Sequence, residues 1–210
     1  RVFVMHVLLI NGSPHEKGCT YTALSLVAGE LNAAGITTEI LNVGTKPVGG
    51  CIGCGGCAKG NGCVFGGVVN EAIEKARTAD AFVFGTPVHY ASASGNMTSF
   101  LDRLAYAGGK YLAYKPAAIC CSARRAGTTA TLDQLAKYPE FFHMPLVSGS
   151  YWPMVHGSNP EQVLQDEEGC AVMKELGRNM AWLLQCIEAG KAAGISHPEN
   201  PRRPMTNFIR

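Results

Sequence analysis

The chain has 210 residues, 47% of them hydrophobic and 16% charged, enough for one α/β domain with a sizeable buried core. Its formal charge of +2 is too small to mark a nucleic-acid or membrane-surface binder, and no apolar run reaches the length of a bilayer span. Nine cysteines without a secretory signal point to a reducing cytoplasm rather than a disulfide framework, and residues 1–4 read as a short stretch ahead of a start at Met5, too short for a signal peptide.

The apolar run 7–10, ended by Asn11 and Gly12, reads as a buried strand. Residues 20–33 carry Leu24, Val27 and Leu31 at helical spacing and stop near Gly35. Residues 38–41 form a second strand, and 44–67 a long glycine-rich loop without periodicity. Long loops in compact domains usually carry function. A helix over 69–77 leads to a third buried strand, 81–84, ended by Gly85, Thr86 and Pro87. A helix over 95–106, a strand over 117–121, a helix over 128–138, a weak fifth strand at 146–147 and a long helix over 166–189 complete the series. The tail from His197 holds three prolines and is expected to wrap the surface or a partner.

Strands alternating with helices predict a doubly wound, five-stranded parallel sheet with helices on both faces. The flavodoxin-like order 2-1-3-4-5 suits it, with the ligand beyond the carboxyl ends of the strands. The expected division is one domain over 1–195 and a tail over 196–210 that packs on the domain or on a partner subunit.

Three loops at that end have the residues for a site. After strand one, Ser13, Thr20 and the amides near Gly18, Cys19 and Thr20 make a phosphate cradle at a helix N-terminus; the alternative is a plain turn with Thr20 as helix cap. No G-x-G-x-x-G sequence occurs, which counts against a dinucleotide-binding Rossmann site. After strand three, Pro87, His89 and Tyr90 suit a wall for a planar ring system, with packing an equal role for His89. Asp102 and Arg103 on the next helix read as a structural ion pair. After strand four, the loop from Ser122 to Thr128 allows close backbone approach at Gly127. Arg124 and Arg125 there are either phosphate partners or solvated surface charges. Tyr151, Trp152 and His156 read as an aromatic loop after strand five that covers the site, makes a subunit contact or packs in the core.

Four cysteines, Cys51, Cys54, Cys57 and Cys63, follow the spacing C-x2-C-x2-C-x5-C. Four thiolates on a compact glycine loop suit a [4Fe–4S] cluster. Redox-active free thiols remain open as an alternative, as do structural zinc, which favours two separated C-x2-C knuckles, and disulfides. Cys120, Cys121, Cys170 and Cys186 read as core residues.

Together, the stretches Gly12-Ser13-Pro14 to Thr20, Gly85 to Tyr90 and Ser122 to Gly127 resemble the flavodoxin-like NAD(P)H-dependent FMN reductases. The cysteine run resembles the iron–sulfur flavoprotein branch of that superfamily. The similarity covers nearly the whole chain, through residues 206–209. The resemblance implies that Ser13, Pro14, Gly18, Cys19 and Thr20 hold the phosphate of FMN. It implies that Thr86, Pro87, Val88, His89 and Tyr90 line its ring system, and that Ser122, Arg124 and Gly127 close the other edge. It further implies hydride transfer from NAD(P)H to FMN and onward to a flavin, a quinone or a protein electron acceptor, in a homodimer or homotetramer. Cys51, Cys54, Cys57 and Cys63 are the implied cluster ligands; with a cluster bound, the protein would be an electron carrier. Outside these readings stand a flavodoxin-like carrier without reductase turnover and a flavin-free binding module.

Overall fold

The computed structural model describes residues 4–201 and 205–206. Residues 1–3 of the stretch ahead of Met5, and residues 207–209 of the region of resemblance, lie outside the described residues. Four strands and their parallel pairing set the frame. β1 (His6–Asn11) pairs with β2 (Thr37–Asn42) on one side and β3 (Ala81–His89) on the other. β3 pairs in turn with β5 (Ala117–Ala123). In β1 the residues Val7, Leu8, Leu9 and Ile10 are all buried, because helices cover both faces of the sheet; alternation is lost wherever both faces of a strand are covered.

The two faces have separate cores. Leu8, Ile10, Phe82, Phe84 and Ile119 face α2 (Val68–Thr78), α3 (Gly95–Gly108) and α4 (Thr128–Phe141). Val7, Leu9, Val83 and Cys120 face α1 (Cys19–Ala33) and α6 (Glu167–Ala192). Leu24, Val27 and Leu31 of α1 meet Met173, Leu176 and Met180 of α6 in that second core. A short helix, α5 (Pro160–Gln165), capped by Asn159, precedes α6.

The sheet follows the order β2-β1-β3-β5-β6, the expected doubly wound arrangement, with one added strand, β4 (Ser92–Ala93), hydrogen-bonded antiparallel to β3. Two elements differ from the sequence-based expectation. The fifth parallel strand is not at 146–147: Leu146 makes only an isolated bridge with Ala117, and the pairing that extends the sheet comes from β6 (Met154–His156) against Cys121, Ser122 and Ala123. The chain over 148–153 loops out between them, so the edge strand is split in two. The segment read as a loop after strand three is itself extended. β3 continues to His89, Pro87 pairs with Ser122, and only Tyr90 and Ala91 form the turn into β4.

No helix among the described residues is long and apolar enough to cross a membrane. Beyond α6, His197 stacks on Tyr114 at 4.2 Å between ring centroids, and Asn200 donates to the Tyr114 hydroxyl.

Candidate functional site

At the carboxyl end of the sheet three segments converge. The first runs from Asn11 to α1. Ser13 is buried, its amide donating to Asn11 Oδ1 and its Oγ accepting from His15 N, each at 3.1 Å. Pro14 is exposed. Gly18 is the N-cap of α1, without a side-chain cap and with no acidic residue in the first turn. First-turn amides have no carbonyl partner inside a helix, so this end is open to an anion. Thr20 does not cap the helix. It is buried, and its hydroxyl meets that of Ser122 at 2.8 Å, joining the first segment to the third. Cys19 lies with Sγ 3.5 Å from the Gly157 carbonyl, and burial pushes its thiol pKa up.

The second segment is the β3–β4 hairpin. Thr86 is fully buried and turned inward. Ser94 N donates to its Oγ1 at 3.1 Å, and Ser94 Oγ donates to the Gly12 carbonyl at 2.9 Å. Thr86 is therefore a brace between loops rather than a lining side chain. Pro87 and Val88 are half-buried, and His89 is exposed. Tyr90 is fully exposed, and Tyr90 and Ala91 both hold positive φ, 49° and 58°. Two consecutive left-handed residues match the type I′ hairpin turn, which normally uses asparagine or glycine. Non-glycine residues held there cost about 1–3 kcal/mol each and tend to cluster at ligand sites.

The third segment, after β5, holds buried Ser122, exposed Arg124 and half-buried Gly127. Gly127 has φ of 95°, and a Cβ there would lie 2.5 Å from Ala91 Cα and 2.9 Å from Val88 Cγ1. Only glycine permits this contact, which seats the strained hairpin against the N-terminus of α4. α4 also lacks a side-chain cap and an acidic first turn. The loop is held from the far side by His156, whose Nε2 lies 3.2 Å from the Arg125 carbonyl. His156 ends β6, and Tyr151 and Trp152 come before that strand, not after it; their rings meet edge-on at 4.7 Å. Ser94 is the residue of this site that the sequence reading does not pick out, whereas His156, expected in an aromatic loop, instead ends β6 and holds the Arg125 carbonyl. Ser94 carries a legible signal, since serine ahead of a helical repeat marks an N-cap, and its Oγ does accept from Met97 N.

The cysteine loop forms a neighbouring site. Cys51 and Cys54 are exposed, while Cys57 and Cys63 are half-buried. All four line one cavity of about 220 Å³, together with Phe65, Arg103 and Tyr106. Gly55 and Gly60 bracket a short 3-10 turn at Gly56–Lys59 with φ of 69° and 81°. Among the described residues no three His, Cys, Asp or Glu side chains are grouped so as to hold a metal ion. Thiolates around one zinc would stand about 3.8 Å apart; a four-iron cluster takes one thiolate per iron and spreads them wider.

Two residues of α3, seven positions apart and so on one face, tie the loop down. Asn96 donates to the Gly44 and Lys46 carbonyls at 3.0 Å and accepts from Val48 N. Arg103 donates from Nε to Cys63 Sγ at 3.2 Å, from Nη1 to the Gly49 carbonyl at 3.3 Å and from Nη2 to the Gly66 carbonyl at 3.0 Å. The expected Asp102–Arg103 ion pair does not form. Neighbouring helical residues point about a third of a turn apart, and Asp102 instead accepts from Tyr138 Oη at 2.6 Å. Cys120 and Cys121 are buried as expected, whereas Cys170 is half-buried and Cys186 exposed on α6, outside both cores.

A parallel doubly wound sheet, two uncapped helix N-termini and an exposed aromatic ring at its carboxyl end are features of a flavodoxin-like flavoprotein. The family model described as NADPH-dependent FMN reductase matches residues 5–159, and the chain belongs to that family; it is a flavin-dependent oxidoreductase. It is 26% identical over 193 residues to an iron–sulfur flavoprotein of Methanocaldococcus jannaschii, covering 88% of this chain and 100% of the relative. It is 29% identical over 175 residues to an iron–sulfur flavoprotein of Archaeoglobus fulgidus, covering 81% of this chain and 86% of the relative. Among solved structures, RosB with a bound formylriboflavin-phosphate intermediate superposes with a TM-score of 0.66 at 14% identity, covering 99% of this chain and 96% of RosB. At that identity the likeness shows the fold alone.

Proposed function

We propose that the chain binds FMN across the three converging segments and oxidises NAD(P)H there, passing hydride from the nicotinamide to the flavin and on to a flavin, quinone or similar acceptor. The observation that carries this reading is the strained hairpin at the carboxyl end of the sheet: Tyr90, fully exposed on two consecutive left-handed residues, in a turn whose Ala91 is seated on Gly127. The residues fit the cofactor. The first-turn amides of α1, with Ser13 and Thr20 near them, suit a phosphate, and Gly18 keeps side-chain bulk away from it. The Tyr90 ring suits one face of a planar heterocycle, with Pro87, Val88 and His89 beside it. Ser122 and Gly127 border the opposite edge, and Arg124 suits the phosphates of an incoming nicotinamide nucleotide.

Bound there, FMN supplies the hydride chemistry, and the chain supplies position and polarity. Ser94 keeps the first and second segments in register through Gly12 and Thr86, and the Thr20–Ser122 hydroxyl pair does the same for the first and third. No protein acid or base is required in this scheme. Steady-state oxidation of NADH and NADPH, with free FMN or a quinone as acceptor, tests it. Protein that contains FMN yet oxidises neither nucleotide would sink the reductase reading in favour of an electron carrier without turnover.

A second reading is favoured by the cavity that Cys51, Cys54, Cys57 and Cys63 line together. In this reading the four thiolates hold a [4Fe–4S] cluster and the protein carries single electrons between the flavin site and a partner. Four cysteine sulfurs on one cavity wall supply one ligand for each iron of a cluster. The visible spectrum of anaerobically purified protein, with iron and acid-labile sulfide counted per chain, tests it; flavin bands without iron would reject it.

A further inference from the structure

Arg103 is 6% exposed, yet it has no carboxylate partner among the described residues. Its three hydrogen bonds go to two neutral carbonyls and one sulfur. The adjacent Asp102 is engaged with Tyr138. The loop that Arg103 grips carries Lys46 and Lys59 between Gly44 and Gly67 and not one acidic residue. The cavity wall likewise contains no Asp or Glu. A guanidinium withdrawn from water needs an anion, because uncompensated burial costs several kcal/mol. On this wall the negative charge would come from the cysteine sulfurs once they hold the proposed iron–sulfur group.

We propose that Arg103 is the counter-cation and positioning residue of the cysteine site, and that its charge and its Nε–H···Sγ bond to Cys63 raise the reduction potential of the iron–sulfur group held there. The proposal rests on the iron–sulfur reading above. Each added electron makes such a site more negative. A cation and an N–H···S hydrogen bond stabilise that state more than the oxidised one, and hydrogen bonds to the sulfurs and net charge are known levers on cluster potential. The Phe65 ring lies 5.6 Å from the guanidinium on the same cavity wall. The carbonyl bonds to Gly49 and Gly66 add a mechanical role: they hold the chain just before the first cysteine and just after the last in one grip.

The test is the midpoint potential of the one-electron couple, read by anaerobic spectroelectrochemistry with dithionite as reductant on FMN-loaded wild type, Arg103→Gln and Arg103→Lys. Iron is counted in each sample. Arg103→Gln removes the charge and the Nε donor, and is expected to lower the equilibrium constant for reduction about tenfold, about 59 mV. Arg103→Lys keeps the charge but loses the fork, and is expected to lower it about threefold, about 28 mV. An iron-loaded variant of either kind with the wild-type potential would overturn the proposal alone. Loss of iron from both variants in protein that still binds FMN would overturn the claim that Arg103 sets the potential, leaving it a brace that only positions the loop. Wild-type protein without iron would overturn the iron–sulfur reading and this proposal with it.

Discussion

Arg103 Nε lies 3.2 Å from Cys63 Sγ, so the last cysteine of the loop is anchored to α3. The backbone of Cys63 is held equally firmly by Asn70 of α2, which accepts from Cys63 N at 2.8 Å and donates to its carbonyl at 3.0 Å. The segments that converge at the carboxyl edge are fastened to one another by different bonds, those of Ser94, Thr20 with Ser122, and Gly127 with Ala91. The two sites are neighbours with separate hydrogen bonds, although both lean on α3, through Ser94 in one and Asn96 and Arg103 in the other.

That separation predicts the outcome of Cys63→Ala. Under the iron–sulfur reading, iron and sulfide should fall to a small fraction of the wild-type level, because a cluster that loses one of four protein ligands is poorly retained. FMN affinity should stay within about twofold, since surface changes away from a site are usually worth within about 0.5 kcal/mol. Iron analysis and FMN titration by fluorescence quenching on one preparation measure both. A parallel loss of FMN would mean that the loops are coupled.

Tyr90 offers a prediction in which stability and binding move in opposite directions. Tyr90→Gly removes a side chain that makes little of the core and relieves a left-handed residue, so thermal unfolding should show a gain of about 1 kcal/mol, after the entropic cost of glycine. FMN affinity should fall by up to about tenfold, the loss of an aromatic contact worth about 0.5–1.5 kcal/mol. Tyr90→Ala keeps the strain and should lose affinity without gaining stability. Equal FMN affinity in all three proteins would remove Tyr90 from the ring wall.

Most of the sheet, and the meeting of three segments at its carboxyl end, were legible because they follow from pattern. The run 7–10 and the run 81–84 are strands because both faces are covered, and the helix over 20–33 repeats its apolar residues every turn. What escaped the sequence depends on tertiary contacts. β4 has two residues, too few for any period, and Tyr90 and Ala91 adopt the one turn geometry that their side chains disfavour. The weak apolar pair at 146–147 looked like a strand, but 148–153 bulges out and the sheet resumes at Met154. Asp102 and Arg103 are adjacent in sequence, which suggests an ion pair, but the helix turns the two side chains apart. Cys186 looked like core on the apolar stripe of α6, and it lies on the outer face.

Gly127→Ala should damage the carboxyl edge directly. The new Cβ would sit 2.5 Å from Ala91 Cα at a residue with φ of 95°, combining the left-handed penalty of about 1–2 kcal/mol with overpacking of about 1–3 kcal/mol. The hairpin carrying Tyr90 must move away, so urea unfolding should show a loss of about 2–5 kcal/mol, and FMN affinity should drop more than it does in Tyr90→Gly. Unchanged stability would mean that the hairpin is not seated on Gly127.

Cys120 and Cys121 give the fold an alkaline limit. Burial pushes the Cys121 thiol from 9.0 up to about 12 and raises that of Cys120 as well. Below pH 9 both thiols are neutral in the folded and the unfolded chain, and the stability they contribute is fully present. Between about pH 9 and 12 the unfolded chain releases these protons while the folded chain keeps them, so the unfolded state is favoured progressively. The slope is about 1.4 kcal/mol per pH unit for each thiol. Cys121→Ala removes one of the two. It should be less stable than wild type at pH 8, because it leaves a small void beside β5, but its stability should fall less steeply between pH 9.5 and 11, by about that amount per pH unit. Urea unfolding of both proteins at pH 8, 9.5, 10.5 and 11 measures the slopes, and parallel slopes would show that Cys121 already titrates near its ordinary value in the folded protein.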